Sequence, residues 1–242
     1  SAASDVYKRQ VGDDKMDNKK ALVLFSGGVD STTALAMAVK KYGADKTAAL
    51  SVSYGQKHSK EIEAARKIAD YYGTELLELD LSKMFEYSSC SLLKQNEDAD
   101  IPKESYEEQL KDADGEPVST YVPFRNGLFL ASAASIALSL EAEIIYYGAH
   151  SDDAAGSAYP DCSKVFNDAM NTAIYEGSGH KIKILAPFVE WNKKQVVAEG
   201  VKLGVPYEMT WSCYEGGNEP CGECGTCRDR REAFLANGLH IK

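Results

Sequence analysis

The chain has 242 residues, 44% of them hydrophobic and 26% charged, with a net charge of −10. That composition suits one globular domain with a sizeable core, or one domain with a small appendage. The acidic balance argues against a nucleic-acid partner, and no apolar run approaches the roughly 20 residues of a membrane span. With no charged-then-apolar signal segment either, the expected setting is the cytoplasm.

Residues 1–15 carry neither a helical nor a strand period, and SAASDVYKRQ resembles translated sequencing-adapter sequence. They read as a non-native or disordered leader, with a single domain over residues 16–242. Ala21 to Phe25 is a short apolar run, predicted as a buried strand. It breaks at Ser26-Gly27-Gly28, and a helix follows to Tyr42, ending at Gly43. Thr47 to Val52 reads as a second strand, Ser59 to Tyr72 as a helix, and Glu75 to Leu81 as a third strand. This β-α-β-α-β succession implies a doubly wound, mostly parallel sheet with right-handed crossovers.

The pattern dissolves over residues 82–120, an acidic insertion that is either a lid over the site or a solvated loop. A helix over Gly127 to Leu140 and a strand over Glu143 to Tyr147 follow. Next come a helix from Ser163 to Tyr175 and a fifth strand, Lys181 to Leu185, expected near a sheet edge. Asn192 caps a helix that stops at Gly204. The tail, residues 211–242, holds four of the six cysteines and a last helical segment, Arg228 to Asn237. The expected fold is therefore α/β, a five-stranded doubly wound sheet with a cysteine-rich tail.

Two signals carry chemistry. The first is Phe25-Ser26-Gly27-Gly28-Val29-Asp30-Ser31-Thr32-Thr33-Ala34-Leu35. Two glycines between strand and helix let the backbone turn with its N–H groups facing one concavity, and the helix N-terminus adds positive potential. The loop is built for an anion, most simply a phosphate chain. It is not a Walker A loop, since no Gly-Lys-Ser/Thr follows.

The second is Cys213-x7-Cys221-x2-Cys224-x2-Cys227, whose spacing suits one tetrahedral Zn2+. Iron–sulfur ligation has similar spacing, but no cysteine-proline follows and nothing else suggests electron transfer. Four protein ligands make a closed site, so the metal is expected to staple the tail.

Three weaker constellations sit where strands of an open α/β sheet end. After the second strand, Lys57 could neutralise phosphate and His58 could move a proton; a solvated turn is the plainer alternative. Arg125 and Asn126 start a helix, where Arg offers a fork to a phosphate or carboxylate and Asn can hydrogen-bond a base. Asp152, Asp153, Tyr159 and Asp161 follow the fourth strand. A carboxylate there could accept from a guanine-like edge, or simply serve turn chemistry. Cys162 reads as a small packed residue.

Ser-Gly-Gly-x-Asp-Ser after a strand resembles the loop of the PP-loop ATP pyrophosphatases, of adenine nucleotide alpha hydrolase-like fold. FSGGVDSTTAL, SYGQKHSKE, VPFRN, YPDC and TWSCYEGGNEPCGECGTC with RDRREAF together resemble one family, the 7-cyano-7-deazaguanine synthases of queuosine precursor synthesis. The motifs run collinearly from Leu22 to Gly238. Two positions depart: Val29 stands where many members have Gln, and Phe124, expected to narrow the pocket beside Arg125, where many have Gly.

The resemblance implies an ATP-dependent carbon–nitrogen ligase, acting as a homodimer on 7-carboxy-7-deazaguanine with ammonia as nitrogen source. Residues Phe25 to Leu35 would bind ATP, with Asp30 a candidate Mg2+ ligand. Asp30, Lys57, His58 and Arg125 would serve catalysis, and Arg125, Asn126, Asp153, Tyr159 and Asp161 the substrate. Cys213, Cys221, Cys224 and Cys227 would hold structural zinc. The rivals are another PP-loop adenylating enzyme, such as a tRNA thiolase or a nucleobase amidating ligase, and a zinc-ribbon module with a degenerate nucleotide site. A thiolase should carry a basic face, which this chain does not show.

Overall fold

The computed structural model describes residues 18–96, 98–103, 118–154 and 158–241. The leader and residues 104–117 of the acidic insertion lie outside them.

Five strands form one all-parallel sheet: β1 (Ala21–Leu24), β2 (Thr47–Ser53), β3 (Glu75–Asp80), β4 (Ile144–Tyr146) and β5 (Lys183–Leu185), in the order β3-β2-β1-β4-β5. The helices are α1 (Val29–Tyr42), α2 (Lys60–Tyr72), α3 (Arg125–Ser139), α4 (Ser151–Ala154), α5 (Lys164–Gly177), α6 (Lys193–Leu203) and α7 (Gly225–Ala236). Each expected strand and helix is present, with ends moved by a few residues at most.

β1 is central, so it is apolar at every position and buried on both faces. Leu22 and Leu24 enter one core with Leu50, Leu130 and Ile145, under α3 and α5. Ala21, Val23 and Phe25 enter the other with Leu35, Ile68 and Val196, under α1, α2 and α6. A period-2 strand between two helical layers thus builds both cores. At one edge, β5 alternates as expected, with Ile184 turned in and Lys183 and Leu185 exposed.

The chain winds outward through β1, β2 and β3, then returns to place β4 on the far side of β1. That reversal opens a crevice at the C-terminal ends of β1 and β4.

The first half of the insertion is not a solvated loop. Phe85, Cys90, Leu92 and Leu93 are buried with Tyr54 and Val122 in a small core of their own. Leu93 bridges antiparallel to Gln56, and Lys57 N donates to the Leu92 carbonyl (3.0 Å). These apolar residues follow no helix or strand period, which is why the sequence hides them.

Candidate active site

The anion loop forms where β1 meets α1. Gly27 has φ +82°, and a Cβ there would stand 2.6 Å from both the Ala65 nitrogen and the Glu61 carbonyl oxygen of α2. Only glycine permits that conformation and that approach. Ser26 Oγ accepts from Gly28 N (3.3 Å) and lies 3.2 Å from Ser31 Oγ. Thr32 Oγ1 donates to the Gly28 carbonyl (2.6 Å), drawing the loop onto the first helical turn. No side chain caps α1, so its leading N–H groups remain available to a ligand.

A cleft of about 230 Å³ opens at the crevice. From the loop, Phe25, Ser26, Gly28, Val29, Asp30 and Ser31 line it; Gly27, Thr32, Thr33, Ala34 and Leu35 do not. The helical period turns the later residues into the core. Thr33 Oγ1 donates to the Val29 carbonyl (2.9 Å) and meets Tyr207 OH (2.9 Å).

Asp30 sits in a cluster of charge. Lys193 Nζ donates to Asp30 Oδ2 at 2.9 Å, and His150 Nε2 lies 3.6 Å from the same oxygen and 3.4 Å from Asp153 Oδ2. Burial alone would raise the Asp30 pKa, but Lys193 and His150 outweigh it and hold the carboxyl below its usual range. Asp229 lines the same cleft, and its burial outweighs the pull of Lys193, pushing its pKa up to about 6. Asp30 Oδ1 is buried without a hydrogen-bond partner, which suits a cation ligand.

Arg125 also lines the cleft, its guanidinium carbon 5.1 Å from the Tyr54 ring centroid and 5.9 Å from that of Phe129. Burial works against its charge, but Tyr54, Tyr214 and Asp161 together hold its pKa above the ordinary value. Glu61 also lines the cleft; burial, partly offset by Arg125, pushes its pKa up to about 7.

Asn126 lines the cleft but is tied to Asp161. Its N donates to Asp161 Oδ2 (2.9 Å), and its Nδ2 donates to Asp161 Oδ1 (3.1 Å) and reaches Cys162 Sγ (3.3 Å). Asp161 and Tyr159 stand behind the lining, with Tyr159 OH 2.6 Å from Thr120 Oγ1. Asp153 reaches the cleft. Phe124 does not: it adopts φ +55°, and its ring covers Gly127 and meets Phe166 edge-on at 5.8 Å. The left-handed backbone explains why glycine suits this position, and the expected narrowing beside Arg125 does not arise.

Lys57 and His58 do not join the cleft lining. Lys57 Nζ donates to the Ala99 carbonyl (2.8 Å), so its charge serves the insertion. His58 packs edge-on to Trp211, and Gly216 leaves room for its ring. Burial lowers its pKa, against the carbonyls of Cys213 and Tyr214.

The tail closes the site. Trp211 N donates to the Gly27 carbonyl (3.0 Å), and Trp211, Ser212, Tyr214, Thr226 and Asp229 line the cleft. The ligand atoms of Cys213, Cys221, Cys224 and Cys227 lie within 4.8 Å of one another, close enough for one metal ion. Backbone N–H groups of Cys221 and Cys224 point at the sulfurs of Cys213 (3.3 Å) and Cys221 (3.4 Å), as thiolates require. Arg230, also buried, donates to Thr210 Oγ1 (2.6 Å) and the Tyr207 carbonyl (2.9 Å), pinning α7 in place.

Sequence reasoning missed Lys193, His150, Glu61 and Arg230. Asn192 signalled the helix start, and Lys193 is its first residue; nothing local says that it points across to α1.

A family model described as "Queuosine biosynthesis protein QueC" matches residues 20–238. The chain is 44% identical over 221 residues to a 7-cyano-7-deazaguanine synthase of Archaeoglobus fulgidus, covering 91% of this chain and 87% of that one. Proteins of the same name from Pseudoalteromonas atlantica and Caldicellulosiruptor saccharolyticus are each 40% identical. The first match covers 90% of this chain and 95% of that one; the second covers 91% and 92%.

Proposed function

The chain belongs to the queuosine biosynthesis protein QueC family, and on that premise we propose that it converts 7-carboxy-7-deazaguanine and ammonia to 7-cyano-7-deazaguanine at the expense of ATP. The observation that carries the reading is the cleft itself. An uncapped helix N-terminus and a glycine loop meet, in one cavity, an arginine suited to a carboxylate.

In this proposal the loop from Ser26 to Ser31 grips the β and γ phosphates. The substrate carboxylate, held toward Arg125, attacks the α-phosphorus and releases pyrophosphate. Glu61, titrating near neutrality in the same cleft, accepts the proton that ammonium must lose. Ammonia displaces AMP to give the amide. A second ATP activates the amide oxygen, and loss of AMP leaves the nitrile. Carboxylate and amide oxygens are both poor leaving groups until adenylated, so one site serves both steps.

Asn126, next to Arg125 in the cleft lining, and Asp153, whose Oδ2 lies 3.4 Å from His150 Nε2, are assigned to the base. Mg2+ bound with ATP would be held at Asp30 and would neutralise phosphate charge. Zinc at the four cysteines would fix the tail and take no part in the chemistry. Lys57 and His58 are assigned to support of the insertion and tail.

Incubation with ATP, Mg2+, ammonium and 7-carboxy-7-deazaguanine is expected to give nitrile and AMP by mass spectrometry. Absence of nitrile would sink the substrate assignment.

A further inference from the structure

α3 opens without a cap of its own: Phe124, the residue before it, makes no side-chain hydrogen bond to the first turn. The cap comes from 35 positions away. Asp161 Oδ2 accepts from Asn126 N (2.9 Å), and Asp161 Oδ1 accepts from Asn126 Nδ2 (3.1 Å). Tyr147 OH donates to the Asp161 carbonyl (3.1 Å), fixing the segment from behind. Asp161 is only 3% exposed. An asparagine would cap a helix as well as an aspartate, without the cost of burying a charge. The helix dipole offsets only part of that cost, so the charge serves something besides the helix.

Arg125 is the neighbouring charge that lacks a direct partner. Its guanidinium lies against the rings of Tyr54 and Phe129, and among the described residues it makes no ion pair. Burial opposes its charge, while Tyr54, Tyr214, Asp161 and Cys162 support it. Phenols and thiols are neutral at neutral pH, so the full negative charge among these four is Asp161. Both Asp161 oxygens are taken up by Asn126. The carboxylate thus balances the guanidinium without occupying its N–H fork.

That balance matters in a site that takes two ligands of different charge. An unbalanced buried arginine would hold a carboxylate far more tightly than a neutral amide. We propose that Asp161 is the counter-charge to Arg125 that lets one site accept first the carboxylate and then the amide. This rests on the two-step reading above. Asp161 stands behind the cleft lining and acts through Arg125, as a positioning residue.

The test is calorimetry with 7-carboxy-7-deazaguanine and with its amide. Mg2+ and an ATP analogue with a methylene group between the α and β phosphates are present, so that nothing turns over. Wild-type protein is expected to bind the two compounds within about thirtyfold of each other. A larger preference for either would overturn the proposal, and this reading does not depend on a variant folding.

Asp161→Asn keeps a cap on α3 and removes the charge. Its carboxylate-to-amide affinity ratio should rise about tenfold or more, with amide affinity unchanged. A purely structural aspartate would weaken both ligands alike, so an unchanged ratio in a folded Asp161→Asn would overturn the counter-charge. Binding of neither compound to wild-type protein would refute the substrate assignment itself. Binding of both, at a ratio that Asp161→Asn leaves unmoved, refutes only the role of Asp161.

Discussion

Gly27→Ala is expected to lower kcat/KM for ATP by about 100-fold or more, and to destabilise the fold by about 2–5 kcal/mol. Two costs combine there. The backbone at φ +82° disfavours any Cβ, and that Cβ would meet the α2 backbone at 2.6 Å. Backbone cannot swing aside as a side chain can, so loop and α2 must separate, and the cradle opens. Gly28→Ala is the matched control. Its nearest obstacle is Ser26 Oγ at 3.3 Å and its φ is −82°, so it should fold like the parent. Melting curves and ATP kinetics check both, and a Gly27→Ala variant with parental values would refute the loop's assignment.

The second large effect concerns the tail. Elemental analysis is expected to find one zinc per chain, and Cys224→Ala to lose it. The loss should lower the melting temperature and remove most turnover, because metal affinity at a closed site is folding energy. The route to turnover is structural: the cysteines hold the segment whose Trp211 N–H reaches the Gly27 carbonyl and whose side chains wall the cleft. Iron with a visible absorption band would contradict the zinc assignment. Full activity after complete metal removal would contradict the stapling.

What could be read from the sequence was local. β1, α1 and the cysteine cluster each announce themselves within about 15 residues, through period, glycine placement or ligand spacing. The motif string from Phe25 to Leu35 is continuous, yet only its first part reaches the cleft, because a helix turns 100° per residue. Lys57 and His58 follow a strand end, as binding residues often do, but the turn sends one to Ala99 and the other against Trp211. Lys193 and Asp30 are 163 positions apart, and their meeting depends on α6 packing across α1. Such a pairing belongs to tertiary structure, and no local pattern encodes it.

The proposed reaction adenylates twice in one cleft, first a carboxylate and then the amide made from it. The most direct measurement is the ratio of AMP formed to nitrile formed in a single time course. Two AMP per nitrile from the carboxylate, and one per nitrile from the amide, are predicted. A single AMP per nitrile from the carboxylate, or ADP in place of AMP, would contradict the account.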